Sequence, residues 1–100
     1  MKHIQNYVHD MRDSIEKSKC YIEKALMYKA EGNTSRYAKY KEMSSQLLTQ
    51  AEALHTFAVE DINKLKAVYP EVPTEMMDRW THAHNEFIEK VAWIKQMIAM

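Results

Sequence analysis

Apolar residues recur every three or four positions through most of the chain, which is the spacing that lines one face of an α-helix. The longest such stretch runs from Asn33 to Tyr69. Its apolar positions are Tyr37, Tyr40, Leu47, Leu48, Ala51, Leu54, Ala58, Ile62, Leu65 and Tyr69. At about 1.5 Å per residue, a helix of this length spans roughly 50 Å. We therefore expect the segments before and after it to fold back along it.

The only glycine of the chain marks the first reversal. Gly32 follows a periodic stretch over about residues 2–30 and supplies the left-handed conformation that commonly ends a helix. Asn33 or Thr34 can then cap the second helix. A link this short predicts an antiparallel helical hairpin. In straight-helix geometry, residue n of helix 1 lies level with about residue 66 − n of helix 2.

The two prolines mark the second reversal. The residue before Pro70 is disfavoured in helical backbone, so helix 2 is predicted over about residues 34–68. From Pro70 to Pro73 the link is expected to be stiff and extended. Thr74 is the predicted N-cap of a third helix, over about residues 74–99.

Together these signals predict an all-α fold, an antiparallel up-down-up three-helix bundle with a long central helix, in one domain over residues 1–100. Helical periodicity also assigns flanking residues to the two sides of the hairpin. One side carries Glu16, Glu23, Glu52 and His55. The other side carries Tyr7, Tyr21, Tyr28, Met43, Phe57 and Val68. We expect the aromatic side to be the docking face for helix 3.

Charge gives little reason to propose a nucleic acid or an anionic membrane as partner, because 14 basic and 14 acidic side chains cancel. The two signs are unevenly distributed, however. Residues 1–41 carry nine basic and five acidic side chains, whereas residues 42–100 carry five and nine. We expect this asymmetry to favour correct packing of the halves, or head-to-tail pairing between copies.

The first twenty residues are too polar for a signal peptide, and no apolar run approaches the length of a membrane span. Cys20 is the only cysteine, so no internal disulfide can form. We expect a cytoplasmic protein with no membrane association.

Apolar residues are in surplus at two places. Helix 3 is expected to end before the tip of the hairpin, so it leaves apolar residues of the tip uncovered. Helix 3 also has apolar residues on a flank outside its main stripe. The residues concerned are Met27, Tyr28, Tyr37 and Tyr40 at the tip, and Trp93, Met97 and Met100 on helix 3. Such surfaces usually mark association sites, so we predict a homo-oligomer, most simply a dimer, with a larger protein as a further partner. The alternative is that these long side chains lie over the tip with their polar ends in water.

A glutamate and a histidine on helix 2 form the motif Glu52-x-x-His55, which places two metal-binding groups one turn apart. The hairpin with this motif resembles half of a ferritin-like di-iron bundle. The resemblance implies that Glu16 or Glu23 serves as the helix 1 carboxylate and that a two-fold partner completes the site. The metal would then be Fe, Mn or Zn, although we expect no cofactor.

The five histidines are all predicted at one end of the bundle: His3, His9, His55, His82 and His84. His55 and His84 lie near the core stripes of their helices at similar levels. They can bind a common Zn(II) or Ni(II), or form a cluster that becomes charged below a pH of about 6.5. Alternatively, they are separate histidines that bond to neighbours or water.

We interpret the chain as a non-enzymatic helical-bundle protein that acts by self-association. The alternative is a ferritin-like metal protein, an oxidoreductase or an iron store. A third class, binding of single-stranded nucleic acid by tyrosines and lysines of the tip, is disfavoured because three acidic residues occupy the same region: Glu23, Glu31 and Glu42.

Overall fold

Three helices form the molecule: α1 His3–Ala30, α2 Thr34–Val68 and α3 Thr74–Ala99. The computed structural model describes residues 3–69 and 71–100, with the backbone alone for residues 3–7. It confirms the all-α prediction and the three-helix arrangement. The bundle is a rod that measures 55 × 18 × 17 Å. Predictions that fall outside the described residues concern Lys2, Pro70 and the side chains of His3 and Tyr7.

The turn between α1 and α2 forms as the sequence predicts. Gly32 has φ +78°, in the left-handed region, and its N–H donates to the Lys29 carbonyl at 3.1 Å. The next N–H, from Asn33, donates to the Tyr28 carbonyl at 2.9 Å. Asn33 is also the cap of α2, because its Oδ1 accepts from the backbone N–H of Arg36 at 3.1 Å. These bonds pair the free backbone groups at both helix ends.

The start of α3 corrects one prediction by a single residue. Thr74 is the first helical residue and not the cap, a position that Pro73 occupies in an extended conformation. Proline has no side-chain acceptor, so no side chain caps this helix. At the other side of the link, the Tyr69 N–H donates to the Leu65 carbonyl at 2.8 Å and closes α2.

Two buried serines hold α1 and α2 close together. The Ser18 hydroxyl donates to the Ser44 carbonyl at 2.8 Å, and the Ser44 hydroxyl donates to the Ser18 carbonyl at 2.7 Å. Both residues are fully buried, and fully buried alanines lie on the same faces: Ala25, Ala51 and Ala58. Small side chains permit this approach, and the reciprocal bonds satisfy the buried hydroxyls.

The serine pair also corrects the predicted register. Ser18 lies opposite Ser44, one helical turn away from the position near residue 48 that straight-helix geometry gives. The reversal is therefore centred nearer residue 31, where the first turn bonds reach back into α1. The prediction placed its centre at Asn33.

Helix α3 docks on the side opposite to the predicted one. Three ion pairs join it to the hairpin: Arg12–Glu86, Lys90–Glu16 and Lys95–Glu52. Glu16 and Glu52 belong to the acidic side, so the prediction that α3 docks on the aromatic side is wrong. Two lysines of α3 meet carboxylates there, and the buried rings of Trp80 and Phe87 pack beside His55 on the same side.

The core lies between the three helices. Its largest members are Met11, Ile15, Ile22, Leu48, Ile62, Leu65, Trp80, Phe87 and Ile94. Contact is most extensive between α1 and α2 and least between α2 and α3. Aromatic rings fill the wider gap beside α3. Within the described residues, no helix has an apolar stretch long enough to span a bilayer.

Candidate functional site

The hairpin has two unequal sides, which we name by whether α3 covers them. The closed side faces α3 and carries Glu16, Glu52 and His55. The open side lies opposite and carries Tyr21, Tyr28, Met43, Leu47, Leu54, Phe57 and Asp61, by the helical spacing of these residues. Each side contains residues that the sequence singled out for chemistry or association.

The carboxylates of the closed side are already paired with lysines. Lys90 hydrogen-bonds to Glu16 and thereby lowers the pKa of that carboxyl below its ordinary value, with burial acting in the opposite direction. Lys95 Nζ lies 3.1 Å from Glu52 Oε1. Both carboxylates therefore have a structural partner in α3.

The predicted metal ligands do not assemble within one chain. Glu23 is exposed, and Glu16 and Glu52 lie in separate ion pairs. Among the described residues, no three His, Cys, Asp or Glu side chains converge so that they could hold a metal ion. A site shared with a second chain, as the ferritin-like resemblance implies, stays a prediction.

The structure brings two of the predicted histidines together. His55 Nε2 lies 2.8 Å from His84 Nδ1, so one imidazole donates its N–H to the other. The His55 ring stacks on His84 at 4.9 Å and on Phe87 at 4.8 Å between ring centroids, with Trp80 at 6.2 Å. His9 and His82 are exposed and take no part in this stack.

Burial lowers the pKa of His55 from its ordinary value of 6.5. The neighbouring His84 acts in the same direction, and the Glu52 carboxylate opposes both effects. The neutral form of His55 is thus favoured. The hydrogen bond between the two rings joins α3 to α2. It involves His55 Nε2 and His84 Nδ1, so these two nitrogens already have a partner.

The tip of the hairpin is a cluster of tyrosines under cations. Tyr40 stacks between Tyr21 and Tyr28, with centroid distances of 5.9 and 5.5 Å. Five cationic groups lie 5.4 to 5.7 Å from tyrosine ring centroids: Lys24, Lys29, Arg36, Lys39 and Lys41. Lys29 also donates to the backbone oxygen of Met100 at 2.9 Å. Three acidic residues lie in the same region, Glu23, Glu31 and Glu42, so the tip has only a small excess of positive charge.

The predicted association residues differ in how far they are covered. Met27 and Met100 are exposed, whereas Tyr28, Tyr37 and Tyr40 are half-buried in the tip. Met97 packs against the core. Trp93 lies over α1, where the Lys19 ammonium sits 5.9 Å from its ring. Part of the predicted surface on α3 is thus already in contact with the same chain.

The open side is an apolar surface that the sequence reasoning did not assign to association. Phe57 is 53% exposed, and three neighbours on its face of α2 are only partly buried: Met43, Leu47 and Leu54. Met43 and Phe57 were assigned in the sequence to contact with α3, and Leu47 and Leu54 to the apolar stripe of the long helix. Since α3 lies elsewhere, it does not cover Met43 and Phe57, although Leu54 packs against the core.

Comparison with known proteins provides no relative from which to infer a role: no family model, no curated protein and no solved structure matches the chain.

Proposed function

We propose that the protein acts by self-association, as a dimer in which the open sides of two hairpins face each other. The observation that carries this proposal is the position of α3, which covers the closed side and leaves Phe57 53% exposed, with Met43 and Leu47 partly exposed beside it. Exposed apolar surface of this extent along one helix is typical of an association surface.

The surface extends along much of α2, a helix of 35 residues that is roughly 50 Å long. Covering the 53% exposed Phe57 contributes on the order of 1 kcal/mol, and covering the partly exposed Met43 and Leu47 contributes less. The contribution is made on both copies, so a few such side chains offset a substantial part of the entropic cost of association.

Light scattering after size exclusion tests the proposal. At tens of micromolar, we expect twice the 11.9 kDa mass of one chain. Phe57→Lys should shift the protein to a monomer, because it places a charge in the centre of the apolar surface. Far-UV circular dichroism should remain helical, since Phe57 is half-exposed in the single chain.

Two control variants show which surface is involved. Thr56→Lys adds the same charge one position away, on an exposed face of α2, and should leave the dimer intact. Trp93→Lys places it on the surface of α3 and should also leave the dimer intact. A wild-type monomer at these concentrations, or a dimer that Trp93→Lys alone disrupts, would contradict the proposal. If the wild type is a monomer, a larger protein that needs Phe57 would be the partner to seek.

The ferritin-like alternative stays a prediction and has its own test. It requires that Glu52 and His55 give up their contacts with Lys95 and His84 when a metal binds. Elemental analysis of protein purified without chelator should find Fe, Mn or Zn near one equivalent per chain if this alternative holds. Less than about a tenth of an equivalent, with no thermal shift on adding Fe(II) anaerobically, would dismiss it.

A further inference from the structure

The open face of α2 carries a stripe of residues at intervals of three and four, the spacing of one helical face. In chain order the stripe consists of Lys39, Met43, Leu47, Gln50, Leu54, Phe57 and Asp61. It begins with a cation, ends with an anion, and has apolar side chains between them. Gln50, which is exposed, lies at its midpoint.

The stripe is self-complementary about that midpoint. Lys39 lies eleven residues before Gln50 and Asp61 eleven residues after it. Met43 and Phe57 are likewise each seven residues away. A two-fold axis through Gln50 therefore places a cation opposite an anion and an apolar side chain opposite another apolar side chain.

The charges at the two ends are available for such pairing. Lys39 is exposed and lies over the Tyr40 ring at 5.7 Å, while Asp61 is partly buried. Neither joins an ion pair with another described residue. A cation from a second chain can therefore pair with Asp61, and an anion can pair with Lys39.

We infer that two copies pair antiparallel across the open side, with Gln50 against Gln50 and Lys39 of each copy beside Asp61 of the other. This inference rests on the proposed dimer and specifies its orientation. The parallel alternative brings Lys39 to Lys39 and Asp61 to Asp61, and like charges in register are unfavourable. The antiparallel arrangement is closed by its two-fold axis, so it ends at a dimer.

The two charged ends of the stripe are far apart. Asp61 lies about 33 Å from Lys39 along the helix. The distance exceeds the Debye length of about 8 Å at physiological ionic strength, so the two ends are screened from each other. Each end therefore interacts separately with the nearest charge of the second copy, and these contacts select the orientation.

Crosslinking of single-cysteine variants distinguishes the two orientations. Cys20 is exposed and is first replaced by Ser. Lys39→Cys, Asp61→Cys and Gln50→Cys are then made separately and treated with a short bis-maleimide. We expect Gln50→Cys to crosslink with itself. Lys39→Cys and Asp61→Cys should not crosslink alone, and their mixture should give a crosslinked dimer.

The alternative outcomes each identify what has failed. Self-crosslinking of Lys39→Cys and of Asp61→Cys, with no product from their mixture, would show a parallel dimer and overturn the inference. A dimer in light scattering that none of the three variants crosslinks would also overturn it, because another surface would be in contact. A monomer in light scattering would instead contradict the proposed dimer itself. Thr56→Cys, on another face, should not crosslink in any case.

Charge reversal gives an independent measurement of the same contact. Lys39→Asp and Asp61→Lys should each raise the Kd of the dimer roughly tenfold, because each creates two repulsive contacts per dimer. The double variant restores opposite charges and should return to within about twofold of wild type. A double variant as weak as the product of both single effects would overturn the antiparallel pairing.

Discussion

The two sides of the hairpin differ in the residues they carry and in whether α3 covers them. The closed side has the charged and histidine residues, and it is covered: α3 supplies lysines to its carboxylates and His84 to His55. The open side has the more continuous apolar stripe, and α3 leaves it uncovered. On the closed side, polar pairs and the buried apolar residues of α3 therefore act together.

This difference has a consequence for function. Apolar groups can be buried by any helix of suitable shape, whereas a half-buried carboxylate or imidazole requires a specific partner. In this molecule the specific partners are within the chain, and the less selective surface remains for association. The same kind of change should therefore have different effects on the two sides.

The largest contrast is expected between two phenylalanines. Phe87→Ala removes a ring that is 4% exposed and stacked on His55, so the free energy of unfolding should fall by about 3–5 kcal/mol. Phe57→Ala removes a ring that is 53% exposed and should cost less than about 1 kcal/mol. Both free energies are to be measured by urea unfolding, at a protein concentration at which the chain is a monomer. Similar losses for the two variants would mean that the sides are not distinct.

A smaller loss in the free energy of unfolding is expected at the contact between α1 and α2, on which both sides of the hairpin depend. Ser18→Val adds volume at a fully buried position and removes a reciprocal hydrogen bond. We expect a loss of about 1–3 kcal/mol in the free energy of unfolding. Ser45→Val, at a partly exposed position of α2, is the matched control and should cost much less.

The turn should respond by a smaller amount. Gly32→Ala places a side chain at φ +78°, where L-residues are strained, although no atom lies within 4 Å of the added Cβ. We expect a loss of about 1 kcal/mol, and Gly32→Asn should lose less because asparagine tolerates this conformation better. Equal stability of the alanine variant would show that the turn relaxes away from this geometry.

The pH dependence of stability should belong to the closed side. Because the pKa of His55 is lowered in the folded protein, the unfolded chain binds this proton more readily. Stability is therefore greatest above pH 6.5 and should fall as the pH drops below that value. Glu16, whose pKa is also lowered, contributes above pH 4.5 and loses its contribution below it.

Two variants separate this effect from the rest of the molecule. His55→Gln should flatten the fall in unfolding free energy that begins below pH 6.5. Phe57→Ala, on the open side, should keep the slope of the wild type. An unchanged slope in His55→Gln would assign the pH dependence to other groups.

The elements of this fold could be predicted because they depend on local signals. Periodicity defined the three helices, and Gly32 required a left-handed turn. The similar levels of His55 and His84 made their contact one of two alternatives, and the structure shows that contact. The side on which α3 docks could not be predicted in the same way. It depends on which lysine reaches which carboxylate across two helices, and a register difference of one turn changes those pairs.

The site illustrates the same limit. Spacing alone made Glu52 and His55 resemble a pair of metal ligands, but their partners come from α3, which lies far away in sequence. Likewise, Met43 and Phe57 were recognised as apolar and were assigned to the wrong neighbour. The lysines of α3 and the carboxylates on one side of the hairpin are complementary in charge. Comparing these charges in the sequence could have corrected both assignments.

The central claim is that a second copy covers the open side, and concentration-dependent footprinting with hydroxyl radicals tests it most directly. Oxidation of Met43 and Phe57 is compared with oxidation of Trp93 and Met100, below and above the concentration at which the mass doubles. We expect Met43 and Phe57 to lose reactivity in the dimer while Trp93 and Met100 keep theirs. Protection of Trp93 and Met100, with Met43 and Phe57 unchanged, would contradict the claim.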